Sequence, residues 1–337
     1  MTMNQGARRS VPVGLRVRAP VGRNARRAGR PCDHTARRLR TCRRDLPLRL
    51  VRRALAPLLL ALAPMVTGEA HDDPPALRSL VEGLEASLDA RIGMLVRDTG
   101  SDLRWAHRSE ERFLMNSTVK ALICGAVLDA RDAGRLALDE AVPVGAGDLL
   151  AHSPMAETRV GGTATIAELC HAAVDLSDNA AANLLLERLG GPAAVTAFLR
   201  RSGDDVTRLD RYEPALNEWR AGDPRDTTTP RAILATLEGL LLGDTLAPAS
   251  RTRLTAWMRE GTYTAAFLRA AAPGDWVIAD KSGAGAVTRT LIALVSPPGR
   301  DPWLVAVFVS EAEVDFAERN AAMASLTEAI VREIAGQ

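Results

Sequence analysis

The chain of 337 residues contains 47% hydrophobic and 25% charged residues, a composition that is ordinary for a globular protein and excludes a fibrous or wholly disordered one. Its formal net charge of +2 conceals an asymmetry, because residues 1–70 hold sixteen arginines and only three acidic residues, which leaves −11 for residues 71–337. A net-acidic body without a basic stripe lacks the electrostatic footprint of a nucleic-acid-binding protein, so we expect no nucleic-acid partner.

The N-terminal segment has the pattern of a secretory signal peptide. Arg52 and Arg53 precede an apolar run over residues 54–66, and small residues stand at both positions that a signal peptidase reads in Gly68-Glu69-Ala70. The run is too short and too interrupted by proline to span a bilayer. We therefore expect residues 1–70 to be removed, and the mature protein to be periplasmic or secreted without a membrane anchor.

The elements that follow predict a sheet at the two ends of the chain. A helix is expected near residues 76–90, and a turn at 98–101 is expected to join two strands into a hairpin. After a long helical segment, further strands and a closing helix follow. The predicted strands are 91–97, 103–107, 276–280, 290–296 and 303–310, and the predicted closing helix is 317–334.

The middle of the chain has a different sequence pattern. From residue 117 to about residue 260, alanine and leucine recur at helical spacing between glycine stops. We therefore predict an α/β (α+β) fold in which an antiparallel sheet flanked by helices is built from residues 71–110 and 261–337. An all-helical domain over residues 111–260 is expected to be inserted between them.

Lysine is rare in this chain. Of its 43 basic residues only Lys120 and Lys281 are lysines, and both lie in motifs that can carry chemistry. An ammonium group can lose its proton when it is desolvated, whereas a guanidinium effectively cannot. This difference favours a proton-transfer role for both lysines, with chance rarity as the alternative.

The first motif is Ser117-x-x-Lys120 at the start of a predicted helix over residues 118–133. A serine at a helix N-terminus receives backbone N–H groups at its oxygen, and a lysine three residues later returns to the same face. A neutral Lys120 could then take the proton as Ser117 becomes a nucleophile. The alternative is an N-cap serine with an exposed lysine.

Two further motifs supply the remaining groups of such a site. Ser177-Asp178-Asn179 lies between two predicted helices and offers a hydroxyl for proton relay and an amide for a substrate, or else a helix cap. Lys281-Ser282-Gly283 follows the strand predicted at 276–280 and offers a cation, a hydroxyl and a close backbone approach, or else a hairpin turn. Together and in this order, the three motifs predict a serine acyl-transfer site.

This order is that of class A serine β-lactamases and penicillin-binding proteins, and from about Leu80 onward the chain resembles a class A β-lactamase. A fourth element distinguishes the two classes. Glu213 and Asn217 stand in a segment bracketed by Arg211 and Asp226 that resembles the family's Ω-loop, although alone it also fits a helix start. The closest matches are Asn116–Val127, Leu176–Gly191, Arg208–Asn217 and Ile278–Gly285.

The resemblance implies a role for each matched residue. Glu213 and Asn217 would hold the water that hydrolyses an acyl-enzyme on Ser117, a device that the alternative, a D-alanyl-D-alanine peptidase acting on peptidoglycan, lacks. The implied catalytic residues are Ser117, Lys120, Ser177, Glu213 and Lys281, with an oxyanion hole formed by the backbone N–H groups of Ser117 and Ala284. The implied substrate-binding residues are Asn179, Asn217, Ser282, Gly283, Ala284, Arg289 and His152.

Substrate range and accessory features follow from the same resemblance. Asn116 and Gly285 occupy positions where carbapenem-hydrolysing relatives tend to have paired cysteines, so we expect hydrolysis of penicillins and some early cephalosporins but little of carbapenems. His152, where many members have an aromatic residue, is either a stacking residue or a polar surface residue. The five histidines show no metal-ligand spacing, and we expect no metal, no cofactor and a monomer.

Cys124 and Cys170 are the two cysteines of the expected mature chain. In an oxidising compartment such a pair forms a disulfide or remains as two buried thiols. The resemblance implies that they form the family's disulfide.

Overall fold

The computed structural model describes residues 74–337. The expected signal peptide and its cleavage after Ala70 lie outside these residues. The helices are α1 (Pro75–Leu88), α2 (Val119–Asp132), α3 (Ile166–Val174), α4 (Asn179–Leu189), α5 (Pro192–Arg201), α6 (Pro230–Leu241), α7 (Pro248–Glu260), α8 (Leu268–Ala271) and α9 (Phe316–Gly336). The strands are β1 (Arg91–Asp98), β2 (Arg104–His107), β3 (Phe113–Leu114), β4 (Ala141–Pro143), β5 (Thr163–Thr165), β6 (Thr227–Thr228), β7 (Val277–Ala284), β8 (Arg289–Ser296) and β9 (Trp303–Ser310).

Five of these strands form one antiparallel sheet in the order β2-β1-β9-β8-β7. Its centre is the pairing of β1 with β9, which joins the start of the described chain to its end over eight residue pairs. The predicted α/β fold with an antiparallel sheet built from both chain ends is confirmed.

The sheet separates two hydrophobic cores, and β9 shows why its sequence is almost entirely apolar. Successive side chains of a strand point to opposite faces. Leu304 and Phe308 therefore pack into the core shared with the helices of the middle of the chain, while Val305 and Val309 pack into the core shared with α1 and α9. Because both faces of β9 are buried, neither face carries a solvent-facing polar position.

Two helices beside the candidate site, α3 and α4, begin at capping residues. Thr165 accepts a hydrogen bond from the backbone N–H of Glu168, whose side chain caps Thr165 in return at the start of α3. Asp178 caps α4 by accepting from the backbone N–H of Ala181 at 2.8 Å. Such caps satisfy backbone donors that the first turn of a helix leaves unpaired, so they fix where each helix begins.

The middle segment is mostly helical but also contains strand pairs. β4 pairs with β5, and β3 pairs with β6, each over two or three residues. The third motif also differs from its prediction. Lys281-Ser282-Gly283 lies inside β7 instead of following a strand that ends at Asp280, because β7 continues to Ala284 and pairs with β8 along its whole length.

The expected disulfide is wrong. Cys124 and Cys170 are fully buried free thiols, and the Cys124 Sγ lies 3.6 Å from the carbonyl oxygen of Cys170. Burial raises the pKa of the Cys170 thiol, as it does for a thiol held in apolar surroundings. Both side chains instead pack as small apolar groups between α2 and α3.

Within residues 74–337, no helix combines the length and apolarity that crossing a bilayer requires.

Candidate active site

Ser117 lies in a short 3-10 turn over residues 116–118 that leads directly into α2. It is partly exposed, whereas Asn116 and Thr118 on either side are buried. Asn116 has a positive φ of 49°, a conformation that costs an L-residue energy and that surrounding contacts must sustain. Those contacts are hydrogen bonds from the Thr288 hydroxyl to Asn116 Oδ1 at 2.8 Å and from Asn116 Nδ2 to Asn217 Oδ1 at 3.0 Å.

Lys120 projects from the first turn of α2 into a ring of oxygen atoms and is fully buried. Five oxygens lie within 3.4 Å of its Nζ, which has only three N–H bonds, so they cannot all receive one at once. The distances from Nζ are 3.1 Å to Ser117 Oγ, 2.8 Å to Ser177 O, 3.4 Å to Ser177 Oγ, 2.5 Å to Asn179 Oδ1 and 3.0 Å to Glu213 Oε1.

Both lysines of the site have a perturbed pKa. Burial lowers the pKa of Lys120, and the carboxylate of Glu213 opposes part of that shift. Burial, together with the positive charges of Lys120 and Arg289, holds the pKa of Lys281 well below its usual range. A lowered pKa makes the neutral amine accessible, which is what a lysine needs in order to accept or relay a proton.

Ser177 places its hydroxyl between the two lysines. Its Oγ lies 3.1 Å from Lys281 Nζ and 3.4 Å from Lys120 Nζ. Its backbone has a φ of 53°, and the next residue, Asp178, is held by the backbone N–H groups of Met155 and Ala156. The Ser-Asp-Asn motif is therefore both a helix cap and a part of the site, because Asp178 caps α4 while Ser177 and Asn179 face Lys120.

Glu213 approaches Lys120 from the Ω-loop. Its side chain is fully buried, with Oε1 at Lys120 and Oε2 accepting a hydrogen bond of 2.6 Å from Asn217 Nδ2. Its backbone is held from both sides by Asn183 of α4, whose Oδ1 accepts from the Glu213 N–H and whose Nδ2 donates to the Glu213 carbonyl, each at 2.9 Å. The carboxylate is therefore fixed against the amine of Lys120.

The base of the Ω-loop is closed by Asp226. Its Oδ1 accepts hydrogen bonds from the backbone N–H groups of Asp210 and Arg211 at 2.7 and 3.0 Å, and its Oδ2 lies 2.5 Å from Arg211 Nε. This ion pair joins the two residues that bracket the loop in the sequence, as the resemblance implies. It is only slightly exposed, so water screens it weakly.

Strand β7 forms one wall of the site. A Cβ atom at Gly283 would lie 2.7 Å from the backbone nitrogen of Ser117 and 2.5 Å from the hydroxyl of Thr290, so only glycine permits this approach. Ser282 and Lys281 precede it on the same strand and are nearly buried.

Arg289 is held beside this wall by two acceptors. Its Nε donates to Asn320 Oδ1 at 2.7 Å and its Nη1 donates to the carbonyl of Gly283 at 2.6 Å. The guanidinium lies over the ring of Phe267, 4.7 Å from its centroid. Burial and the neighbouring charge of Arg319 lower the pKa of Arg289 to about 10.

A cavity of about 510 Å³ opens between these walls. The ionisable side chains of Lys120, Glu213 and Lys281 do not line it, and these residues are at most 4% exposed. The structure thus brings all of the residues predicted from the sequence to one site. Those that line the cavity itself are Ser117, His152, Ser177, Asn179, Asn217, Ser282, Gly283, Ala284 and Arg289.

Several residues of the site were not predicted from the sequence. Asn183 stands four residues after Asn179 and therefore lies on the same face of α4. This spacing could have predicted that Asn183 faces the site. Tyr263, Phe316 and Asn320 line the cavity but lie in segments without a motif. Among residues 74–337, no group of three or more His, Cys, Asp or Glu side chains is arranged to hold a metal ion.

Comparison of the sequence with protein families gives a match over residues 76–334 to the Beta-lactamase enzyme family. The chain is 49% identical over 274 residues to a β-lactamase of Rhodobacter capsulatus, with 81% of this chain and 94% of that protein covered. It is 40% identical over 256 residues to β-lactamase AER-1 of Aeromonas hydrophila, with 75% and 84% covered.

Solved structures give the same result. An ancestral class A β-lactamase of Gram-negative bacteria (GNCA) superposes with a TM-score of 0.74 at 50% identity, with 76% of this chain and 99% of that chain covered. A β-lactamase from Xanthomonas campestris pv. campestris superposes with a TM-score of 0.75 at 45% identity, with 77% and 97% covered.

Proposed function

Because this chain belongs to the class A β-lactamase family, we propose that it hydrolyses the lactam amide of penicillins, and of some early cephalosporins, through an acyl-enzyme on Ser117. The observation that carries the proposal is the position of Lys120 Nζ, 3.1 Å from Ser117 Oγ and 3.0 Å from Glu213 Oε1. A single buried amine thus contacts both the proposed nucleophile and the proposed base of the second step.

In the proposed first step, Ser117 Oγ attacks the lactam carbonyl carbon. The Lys120–Glu213 pair takes the serine proton, and the lowered pKa of Lys120 supports this role. The backbone N–H groups of Ser117 and Ala284 bind the developing oxyanion. The close approach of β7 to the Ser117 nitrogen at Gly283 supports this assignment, because it brings both backbones to one side of the cavity.

The lactam nitrogen needs a proton when its bond to the carbonyl carbon breaks. We assign this transfer to the Ser177 hydroxyl, which lies within 3.4 Å of both lysine amines and can be reprotonated by either. Asn179 binds the acylamino side chain of the substrate. The carboxylate of the substrate binds to Ser282, Lys281 and Arg289, which together offer one hydroxyl and two cations.

In the proposed second step, water attacks the ester that joins the acyl group to Ser117. Glu213 acts as its general base, and Asn217, whose Nδ2 donates to Glu213 Oε2, helps to hold the water. As the ester bond breaks, the proton taken by Glu213 passes through Lys120 to the departing oxygen of Ser117, which releases the ring-opened product and restores both Ser117 and Glu213.

The proposed restriction to penicillins and early cephalosporins depends on the surroundings of Asn116. The side chain of Asn116 is occupied by Thr288 and Asn217, and a Cβ atom at Gly285 would lie 2.9 Å from Asn116 Nδ2. We therefore propose that Asn116 and Gly285 keep the arrangement of family members without the paired cysteines, and that carbapenem turnover is low. Rapid hydrolysis of imipenem would contradict this part of the proposal.

The intact mass of the protein, followed after mixing with benzylpenicillin until the drug is exhausted, tests the function. An adduct of one drug molecule that appears and then disappears as ring-opened product accumulates is the expected result. A lasting adduct would indicate a penicillin-binding peptidase, and the absence of both adduct and turnover would indicate a binding module without catalysis.

We further propose that the protein is exported to the periplasm or secreted, and that it acts there as a monomer. The arginine-flanked apolar run that ends before Ala70 supports export. N-terminal sequencing of protein recovered from the periplasm or medium is expected to begin at His71. Analytical ultracentrifugation is expected to give the mass of one chain, and a dimer mass would overturn the second point.

A further inference from the structure

Two aromatic rings meet across the mouth of the cavity. The centroids of His152 and Tyr263 are 5.2 Å apart, and their planes are inclined by 62°, an edge-to-face arrangement that aromatic rings favour. His152 precedes α3 on one side of the cavity and Tyr263 follows α7 on the other, and both line it.

The His152 ring is held in place from its own side. Its backbone has a φ of 62°, and its carbonyl accepts a hydrogen bond of 3.0 Å from the Asn179 N–H. Its Nε2 lies 2.9 Å from the carbonyl oxygen of Leu176. Because a carbonyl oxygen only accepts, Nε2 carries the proton, and this contact fixes the orientation of the ring.

The backbone at Tyr263 is anchored on both sides. Thr262 donates from its N–H and its hydroxyl to the carboxylate of Asp175, at 3.0 and 2.9 Å. Thr264 donates from its hydroxyl to the buried Asp280 at 2.9 Å. Tyr263 is nevertheless 46% exposed, so a firmly held turn presents a large aromatic side chain to the cavity instead of burying it in the core.

The same surroundings place the ring pair beside the proposed subsite for the acylamino group. Asn179 donates from its Nδ2 to the carbonyl of Ala151 at 2.8 Å, in addition to its backbone bond to His152. Because Asn179, His152 and Tyr263 line the same cavity, a substrate side chain bound at Asn179 would share that cavity with both rings.

We propose that Tyr263 is a specificity-determining residue. Together with His152 it forms an aromatic wall that favours β-lactams whose acylamino side chain carries an aromatic ring over β-lactams that lack this side chain. The inference rests on the proposed function, because it assigns a preference within that reaction.

The test compares benzylpenicillin, which carries a phenyl ring, with 6-aminopenicillanic acid, which has no acyl side chain. In Tyr263→Ala, KM for benzylpenicillin is expected to rise about 2- to 10-fold relative to KM for 6-aminopenicillanic acid, the effect of losing one aromatic contact. Tyr263→Phe keeps the ring and should restore the wild-type ratio, while Tyr263→Leu keeps apolar bulk without a ring and should not. Val160→Ala removes an exposed apolar side chain outside the cavity and serves as the matched control.

A double-mutant cycle tests the partnership with His152. If the rings act as one wall, the effect on the KM ratio of Tyr263→Ala should be smaller in a His152→Ala background than in the wild-type protein.

Four results would overturn the proposal: an equal rise of KM for both substrates, no rise, a loss that phenylalanine does not restore, or fully independent effects of the two substitutions. A wild-type protein that turns over neither substrate would instead overturn the proposed function itself.

Discussion

Replacing Glu213 with glutamine removes one negative charge and almost no volume. The carboxylate lies 3.0 Å from Lys120 Nζ, where two unit charges attract by about 5 kcal/mol at an effective dielectric constant of about 20. Burying the two charges costs several kcal/mol for each, so the pair contributes little net stability. The variant keeps a side-chain oxygen near Asn217 and should fold.

The stability of Glu213→Gln depends on the charge that remains on Lys120. An unpaired buried charge costs about 3–5 kcal/mol. Lys120 keeps its contacts to Ser177 and Asn179, and burial already lowers its pKa, so it can shed its proton instead of remaining charged and unpaired. We therefore expect the free energy of unfolding to fall by less than about 3 kcal/mol.

Catalysis should suffer far more than stability. Loss of a general base costs about 10²- to 10⁴-fold in rate, or about 3–5 kcal/mol of barrier. Without Glu213, a neutral Lys120 can still accept the proton of Ser117, so acylation should proceed. Stopped-flow measurement with a chromogenic cephalosporin should therefore show a burst of about one product per Ser117, followed by a steady rate that is lower by this factor. Glu218→Gln, a change on the exposed side of the same loop, is the matched control and should turn over normally. Turnover of Glu213→Gln within threefold of the wild type would refute the role of Glu213 in hydrolysis.

Three further changes test other parts of the site. KM for benzylpenicillin should rise as the pH increases through the lowered pKa of Lys281, because the neutral amine no longer attracts the substrate carboxylate. In Lys281→Arg, pH profiles of KM should show this rise at higher pH, because a guanidinium keeps its proton. Gly283→Ala should lower kcat by roughly 10²-fold, since the new Cβ would displace the Ser117 nitrogen from the proposed oxyanion hole, and a normal kcat with an unchanged melting temperature would contradict that proposal. Thiol titration of the mature protein, denatured but not reduced, should find both Cys124 and Cys170, whereas finding neither would show that they are bridged.

The sheet and most helices were predictable because local patterns and burial agree in them. β9 is an uninterrupted apolar run because it separates two cores, and α3, α4 and α9 begin at capping residues that the sequence displays. The division into domains at residues 110 and 260 stays a prediction.

The length of β7 was underestimated because the second half of the strand is polar. Lys281 and Ser282 look like turn residues in sequence, yet they belong to a strand because their side chains belong to a polar site at the sheet edge.

The site was predictable where a motif fixes the spacing along one element, as in Ser117 and Lys120, which lie three residues apart at the start of α2. It was not predictable where two distant loops meet. The contact between His152 and Tyr263 depends on the hydrogen bonds of Thr262 to Asp175, which join positions 87 residues apart and leave no local pattern.

The pairing of β1 with β9 also has a consequence for how the protein acquires its structure. Every residue of β1 pairs with a residue more than 200 positions later in the chain. Closing so long a loop lowers the entropy of the chain before the strand contacts contribute any stabilisation, and a high proportion of distant contacts slows folding. During synthesis, β1 leaves the ribosome long before its central partner exists, so the sheet can close only when translation is nearly complete.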